Sequence, residues 1–427
     1  MPTQYVLFCF KYLKYHIYIC KILKTVLVSK YRKEANKMPE NENDEVFRLH
    51  GGKEQGVLSI SPRFDVTNRT ELGEAYTPGV AEISKLIEHN PAAKKKYTIS
   101  GKLVAMVTDG SAVLGLGNIG PAGGLPIIEG KALLYKDLAG VDAIPLTLDQ
   151  VPVDDFVKTL KTIATSFAGF HLEDIAAPRC FEIEEKLAQE VDIPVYHDDQ
   201  EGTAIVVLAA LINAAKVVNK NLTDMHVLLN GVGASGVATA RLLLEVGIKN
   251  LTLVDIDGPV AKDDQRYNQY QRDVAAKSAV QEHFASLDEA IEGQDVFIGL
   301  SDANVLSAEQ VKRMAANPII FALANPVPEI DPAVAKEAGA AVIATGSSQY
   351  PNQVNNILAF PGLFRGLLKT NIKKVSFELE AAIARGLASL VDQPTADKIV
   401  PGVFDNGVVN AVTTAVVDFA KQKDRKD

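Results

Sequence analysis

From residue 100 onward, short apolar runs alternate with longer stretches whose apolar residues recur at helical spacing. Lys102–Thr108, Val141–Leu146 and Ile193–His197 read as buried strands, and Pro126–Ala139 and Asp154–Phe167 as helices among them. Asp154 and Asp155 suit a first helical turn, where the helix dipole favours negative charge. Thr203–Asn219 is an almost uninterrupted apolar helix, which must be buried on most faces. Beyond it, Met225–Leu229, Leu251–Val254, Val296–Leu300, Ile319–Leu323 and Val342–Thr345 read as strands, and Val237–Val246, Phe377–Ala388 and Asn410–Lys421 as helices. This alternation predicts an α/β protein built on parallel sheets covered by helices on both sides. A division near residue 200 is the most economical, giving an N-terminal domain over 38–199 and a second domain over 200–427.

Composition changes the picture mainly at the start of the chain. The net charge is −9, yet residues 1–37 carry eight basic side chains and one acid, so the remaining body is more acidic than the total. An acidic body argues against nucleic acid as a partner. The longest apolar run of the first segment, Tyr5–Phe10, is too short to cross a membrane, and no membrane role is expected. We expect residues 1–37 to be an extension outside the folded core, with Met38 as the functional start. Of three cysteines, Cys9 and Cys20 lie in that segment, leaving Cys180 alone in the body. It cannot form an internal disulfide, so a reducing, cytoplasmic setting and a buried structural thiol are expected.

Two G-x-G-x-x-G matches compete for a dinucleotide. After Gly231-Val-Gly-Ala-Ser-Gly236 comes a helix, a strand and then Asp255 at the strand end, where an acid accepts hydrogen bonds from the adenosine ribose. Gly231, Gly233, Ala234, Ser235 and Gly236 therefore form the expected pyrophosphate cradle of a Rossmann-type domain. Asp255 and Asp257, with no basic residue before Lys262, would repel a 2′-phosphate and favour NAD over NADP. Gly115-Leu-Gly-Asn-Ile-Gly120 runs on through Pro121-Ala-Gly-Gly124, read as a long loop, and lacks such an acid. It is expected to be a backbone cradle near the substrate or a packing turn. Two pairs of adjacent acids, Glu173-Asp174 and Asp198-Asp199, repel unless a cation lies between them. Together with the dinucleotide loop they suggest metal-assisted chemistry on a small substrate.

Seven motifs then occur in order: Ala75-Tyr-Thr-Pro-Gly-Val-Ala81, Val113-Leu-Gly-Leu-Gly-Asn-Ile-Gly120, Glu129-Gly-Lys131, Leu172-Glu-Asp-Ile175, His197-Asp-Asp199 with Gly202-Thr-Ala, Ala322-Leu-Ala-Asn-Pro326 and Pro351-Asn-Gln-Val-Asn-Asn356. Together they closely resemble the malic enzymes in their short bacterial form, over roughly residues 55 to 420. The resemblance implies oxidative decarboxylation of (S)-malate to pyruvate and CO2, with NAD and Mg2+ or Mn2+, and an N-terminal domain holding substrate and metal. It implies Lys131 as general base, Tyr76 as general acid, Glu173, Asp174 and Asp199 as metal ligands, and Asp198 as the partner of Lys131. It also places Asn325 and Asn356 on the substrate, with Asn325 near the nicotinamide ribose, and suggests a homodimer or higher oligomer. A lysine base must be neutral, which burial or a cationic neighbour would favour. Three departures stand out. Ala112 occupies a position where the large animal-type enzymes have Arg, so Arg365 becomes a candidate partner for the second carboxylate. His171 stands where the family more often has Asn, and is expected to pack. Glu201 would repel substrate if it points inward. An oxaloacetate decarboxylase that needs no dinucleotide is the alternative function on the same scaffold.

Overall fold

The computed structural model describes residues 45–51, 55–280 and 284–425. The expectations for residues 1–37, including Cys9 and Cys20, lie outside them. The chain separates into two compact units, Met1–Val57 and Leu58–Asp427. The first contributes one described helix, Glu45–His50.

The second unit contains two sheets. The first joins β1 (Leu103–Thr108), β2 (Asp142–Thr147), β3 (Gly169–Glu173) and β4 (Val195–His197) in the order β2-β1-β3-β4, all parallel. The second joins β5 (Val227–Asn230), β6 (Leu251–Asp255), β7 (Gly258–Pro259), β8 (Val296–Gly299), β9 (Ile319–Ala322) and β10 (Val342–Thr345) in the order β10-β9-β8-β5-β6-β7. Only the short edge strand β7 is antiparallel. Strand order reverses at β1 in one sheet and at β5 in the other. The crevice beyond the carboxyl end of such a strand is where open α/β sheets receive ligands.

The expected strands are present to within a few residues, with two instructive differences. The helix expected from Pro126 starts at Gly120, so the Pro121–Gly124 stretch read as loop is its first turn. Pro121 fits there because an N–H is not needed in a first turn. Gly124 fits because a side chain would come within 3.0 Å of the Thr108 methyl and 3.4 Å of the Gly110 Cα. Strand β3 was not foreseen. Gly169 hides it: a side chain there would strike the Phe364 ring at 2.8 Å, so the strand trades a residue for close packing.

The helix Thr203–Val217 is buried along most of its length, as its composition demands. The stretch Asp198–Val217 is long and apolar enough to cross a membrane by length and composition, but 72% of its most apolar 18-residue window is buried inside the protein. Helices Ala234–Glu245 and Phe377–Ala388 pack on it. Its one buried amide, Asn213, donates to the carbonyls of Ala388 and Ile399 at 2.8 and 2.9 Å, tying the core to the C-terminal segment. Cys180 is fully buried, as expected, and burial pushes its thiol up, so it is inert.

Candidate active site

The first site gathers at the carboxyl ends of β3 and β4. Lys131 reaches it from the helix Gly120–Ala139, Glu173 ends β3, and Asp198 and Asp199 open the π-helical turn Asp198–Gly202 that follows β4. The Lys131 ammonium donates to Glu173 Oε2 at 2.6 Å and to Asp198 Oδ2. Tyr196 donates to the other Asp198 oxygen at 2.6 Å. Asp174 adopts a left-handed backbone, φ 55°, which asparagine and aspartate tolerate best among residues with a side chain. That turn lets its N–H donate to Asp199 Oδ2 at 2.9 Å, so the two acid pairs meet across adjacent strands.

Carboxylate oxygens of Glu173, Asp174 and Asp199 all lie within 4.8 Å of one another. Asp174 Oδ2 is buried and has no hydrogen-bond partner. Hard oxygen donors that converge around an orphaned carboxylate oxygen fit a divalent cation such as Mg2+ or Mn2+. Burial pushes Glu173, Asp174 and Asp199 all up from the usual carboxylate range; neighbouring carboxylates add to this and the Lys131 ammonium opposes it. Burial would do the same to Asp198, but the Lys131 ammonium pulls it down.

Two expectations are corrected here. Burial does act to lower the Lys131 pKa, yet Asp198, Glu173 and Asp199 outweigh it and raise the pKa instead. Burial alone therefore does not prepare a neutral lysine. His171 does more than pack: its Nε2 lies 2.9 Å from Glu173 Oε2 and its Nδ1 2.9 Å from the Tyr135 hydroxyl. Burial pushes His171 down to about 3, so the ring is neutral, with Nε2–H donating to Glu173 and Nδ1 accepting from Tyr135. Glu201 turns away from this cluster and accepts from the His197 N–H at 2.7 Å.

The second site is the β5 crossover. Gly231 has φ 97°, and a side chain there would strike the Leu300 carbonyl and approach Ser301 Cβ to 2.9 Å. A side chain on Gly236 would collide with the Gly231 carbonyl. Gly233 precedes the helix Ala234–Glu245, whose first turn holds Ala234 and Ser235 with N–H groups free for an anion. This is a cradle that side chains would fill, and it fits a dinucleotide pyrophosphate. Asp255 ends β6, as expected. Gln271, unnoticed in the sequence, donates to Asp255 Oδ2 at 2.8 Å and to the Val232 carbonyl at 2.9 Å, fixing the acid against the glycine loop. Its only sequence signal is the capping box it forms with Asn268. Arg266 donates to the Asp257 carbonyl at 2.7 Å, but its guanidinium is held by Asp264.

The asparagines follow strands β9 and β10 of the second sheet and lie against glycines that follow β1 and β4 of the first. Asn325 follows β9, and a side chain on Gly115 would come within 3.5 Å of its carbonyl oxygen, so the first glycine loop packs on it. Asn356 opens the short helix Asn356–Leu358, and Gly202 abuts it along with Tyr196 and Asp198. Asn355 caps that helix by accepting from Ile357 N at 3.0 Å. Glu329, also unnoticed, is fully buried and accepts from Ser301 N at 3.1 Å and Ala324 N at 3.0 Å, clamping the loops after β8 and β9. Tyr76 is not brought to the cluster: its side chain is 68% exposed, and its hydroxyl has no hydrogen bond among the described residues. Arg365 donates to Asn410 of the C-terminal helix at 3.1 Å.

A glycine-cradled dinucleotide fold beside a lysine–carboxylate cluster defines a two-site α/β oxidoreductase class. Residues 59–188 match the malic enzyme N-terminal domain and residues 200–421 the malic enzyme NAD binding domain, and the chain belongs to the malic enzyme family. It is 46% identical over 382 residues to the NAD-dependent malic enzyme of Geobacillus stearothermophilus, covering 89% of this chain and 79% of that one. It is equally similar, 46% over 382 residues, to the bifunctional malic/malolactic enzyme of Bacillus subtilis, covering 89% and 93%. The crystal structure of the malic enzyme from Pyrococcus horikoshii superposes with a TM-score of 0.86 at 41% identity, covering 90% of this chain and 91% of that one.

Proposed function

We propose that the chain converts (S)-malate to pyruvate and CO2 with reduction of NAD, assisted by Mg2+ or Mn2+. The observation that carries this reading is the placement of the Lys131 Nζ between Glu173 and Asp198, with Asp174 and Asp199 alongside. Glu173, Asp174 and Asp199 would hold the cation, and the Gly231 loop with Asp255 the dinucleotide. When bound, the cation supplies Lewis-acid stabilisation of charge on the C2 oxygen and the dinucleotide supplies the hydride acceptor.

Lys131 takes the C2 hydroxyl proton. To do so it must first lose its own, and Asp198, with its remaining oxygen satisfied by Tyr196, holds the amine in place as that charge changes. By family resemblance Asn325 and Asn356, which lie against Gly115 and Gly202, orient the substrate. After the C3–C4 bond breaks, C3 must gain a proton; family resemblance gives that role to Tyr76, which in the single chain stands exposed and away from the Lys131 cluster. Exposed apolar side chains at Ile60, Phe64, Val66, Leu72 and Leu86 support a homodimer or higher oligomer. The lone body cysteine supports a cytoplasmic setting, and we retain 38–199 and 200–427 as the functional domains. NAD is favoured over NADP because Asp255 ends β6, where a dinucleotide ribose would bind, and Asp257 follows it, while Arg266 is committed to Asp264.

The test is to follow reduced dinucleotide with malate, Mn2+ and either NAD or NADP, and separately to follow oxaloacetate loss without dinucleotide. Reduction of NAD with pyruvate formed in equal amount is expected. Oxaloacetate loss without any NAD reduction would remove the dehydrogenase reading.

A further inference from the structure

A cavity of about 810 Å3 lies on the far side of the Asp198–Gly202 turn, among the helices Arg179–Glu190, Ala234–Glu245 and Phe377–Ala388. Ligand sites for small molecules have this size. Its lining carries seven carboxylates against four basic side chains, so its charge is negative. Most charges there are satisfied. Glu184 and Glu201 share a hydrogen bond, and Gln200 donates to Glu184 at 2.8 Å. Arg241 also lines the cavity, 3.7 Å from Glu185 and over the Phe181 and Tyr270 rings, and its charge reaches Glu184 and Glu380 without a hydrogen bond to either. Lys249 donates to the Leu244 carbonyl at 2.8 Å.

Glu380 differs from the other unpaired charges of the lining, Glu245, Asp273, Lys277 and Lys374, which are exposed to water. It is only 3% exposed, lines the cavity, and has neither a hydrogen bond nor an ion pair among the described residues. A buried carboxylate without a donor costs free energy that a ligand could recover. Its neighbours do not gather as ligands for a metal: the described groups whose oxygens converge within 4.8 Å belong to the Lys131 site. Carboxylates spread over a large cavity suit a flexible cation with several N–H donors.

We propose that this cavity binds a small organic cation, an alkylamine or polyamine, whose ammonium groups donate to Glu380 and to the Glu184–Glu201 pair. Burial, then the nearby Glu201 and Glu378, push the Glu380 carboxyl up, and Arg241 pulls it down. The proposal stands apart from the assignment of the catalytic site.

Isothermal titration calorimetry with spermidine tests it, using sodium chloride at matched ionic strength as the control. Saturable binding is expected for the unaltered protein, about tenfold weaker in Glu380→Gln. Glu380→Gln removes a buried unpaired acid and should fold; Glu184→Gln provides a second variant with the same expected loss. Binding should persist in Asp199→Asn. Heat no greater than that of sodium chloride would overturn the proposal, as would full affinity in both glutamine variants. Loss of binding in Asp199→Asn would place the cation in the Lys131 cluster and overturn it equally.

Discussion

Lys131 and Asp198 form an ion pair withdrawn from water on both sides: the lysine side chain is 16% exposed and the aspartate side chain not at all. Because Asp198 is the largest influence raising the lysine pKa against burial, removing its charge should make the amine easier to deprotonate. In Asp198→Asn the acid limb of the kcat/KM profile should move to lower pH by about one unit, with Mn2+ affinity changed less than about threefold. Asp199→Asn should instead weaken Mn2+ at least tenfold, since even residues behind a ligand commonly cost that much. Lys131→Ala should lower kcat at least a hundredfold with dinucleotide affinity unchanged. Equal loss of Mn2+ affinity in the two aspartate variants would show that the acid pairs are divided wrongly.

The stability of the metal-free protein should fall as pH rises. Burial and neighbouring charge raise Glu173 to about 7, Asp174 to about 8 and Asp199 to about 6, from 4.5, 3.8 and 3.8. Between the ordinary and raised values the folded chain holds more protons than the unfolded chain, so the slope of unfolding free energy against pH is negative. The neutral histidines act oppositely, but only below pH 6.5, where His171 and His197 titrate in the unfolded chain. In EDTA, Tm should therefore decline from pH 6.5 to 8, and Mn2+ should lessen the decline without removing it, because Glu184 and Glu380, also pushed up by burial, lie outside the metal cluster. A flat EDTA profile over that range would contradict the arrangement.

Glu329 should matter for stability out of proportion to its distance from the acid clusters. Glu329→Ala strands the N–H groups of Ser301 and Ala324, a cost of roughly 2–4 kcal/mol. Urea unfolding should record that loss, and Glu329→Gln, which keeps one acceptor, should lose less.

Asp255 should set dinucleotide choice. Asp255→Ser removes the charge at the end of β6 and frees Gln271 Nε2, and the NAD to NADP ratio of kcat/KM should fall at least tenfold. An unchanged ratio would place the discrimination elsewhere.

The acid pairs, the Gly231 loop and most strands were legible because their signals are local: adjacent charges, fixed glycine spacing, apolar runs between turns. What escaped depends on partners distant in the chain. Strand β3 was masked by Gly169 and by two polar residues, His171 and Glu173, that are buried only because Tyr135 and Lys131 arrive from another element. The opening of the Gly120–Ala139 helix looked like loop because Gly124 is there for contact with Thr108 and Gly110, and Gly120 for its positive φ. Glu329 and Gln271 serve backbone groups on other loops, and no local pattern announces that. The charge state of Lys131 could not be read from burial alone, because three acids on β3 and the turn after β4 decide it.

The helix Thr203–Val217 carries a cost that is paid during synthesis. Its most apolar stretch leaves the ribosome well before Phe377–Ala388, the helix that covers it, and before Ala388 and Ile399, which occupy the Asn213 amide. Until the last part of the chain emerges, a segment greasy enough for a bilayer has no complete shelter. A chain shortened ahead of Phe377 would keep both sheets and both acid pairs yet leave this surface bare, making it a target for chaperones and proteases.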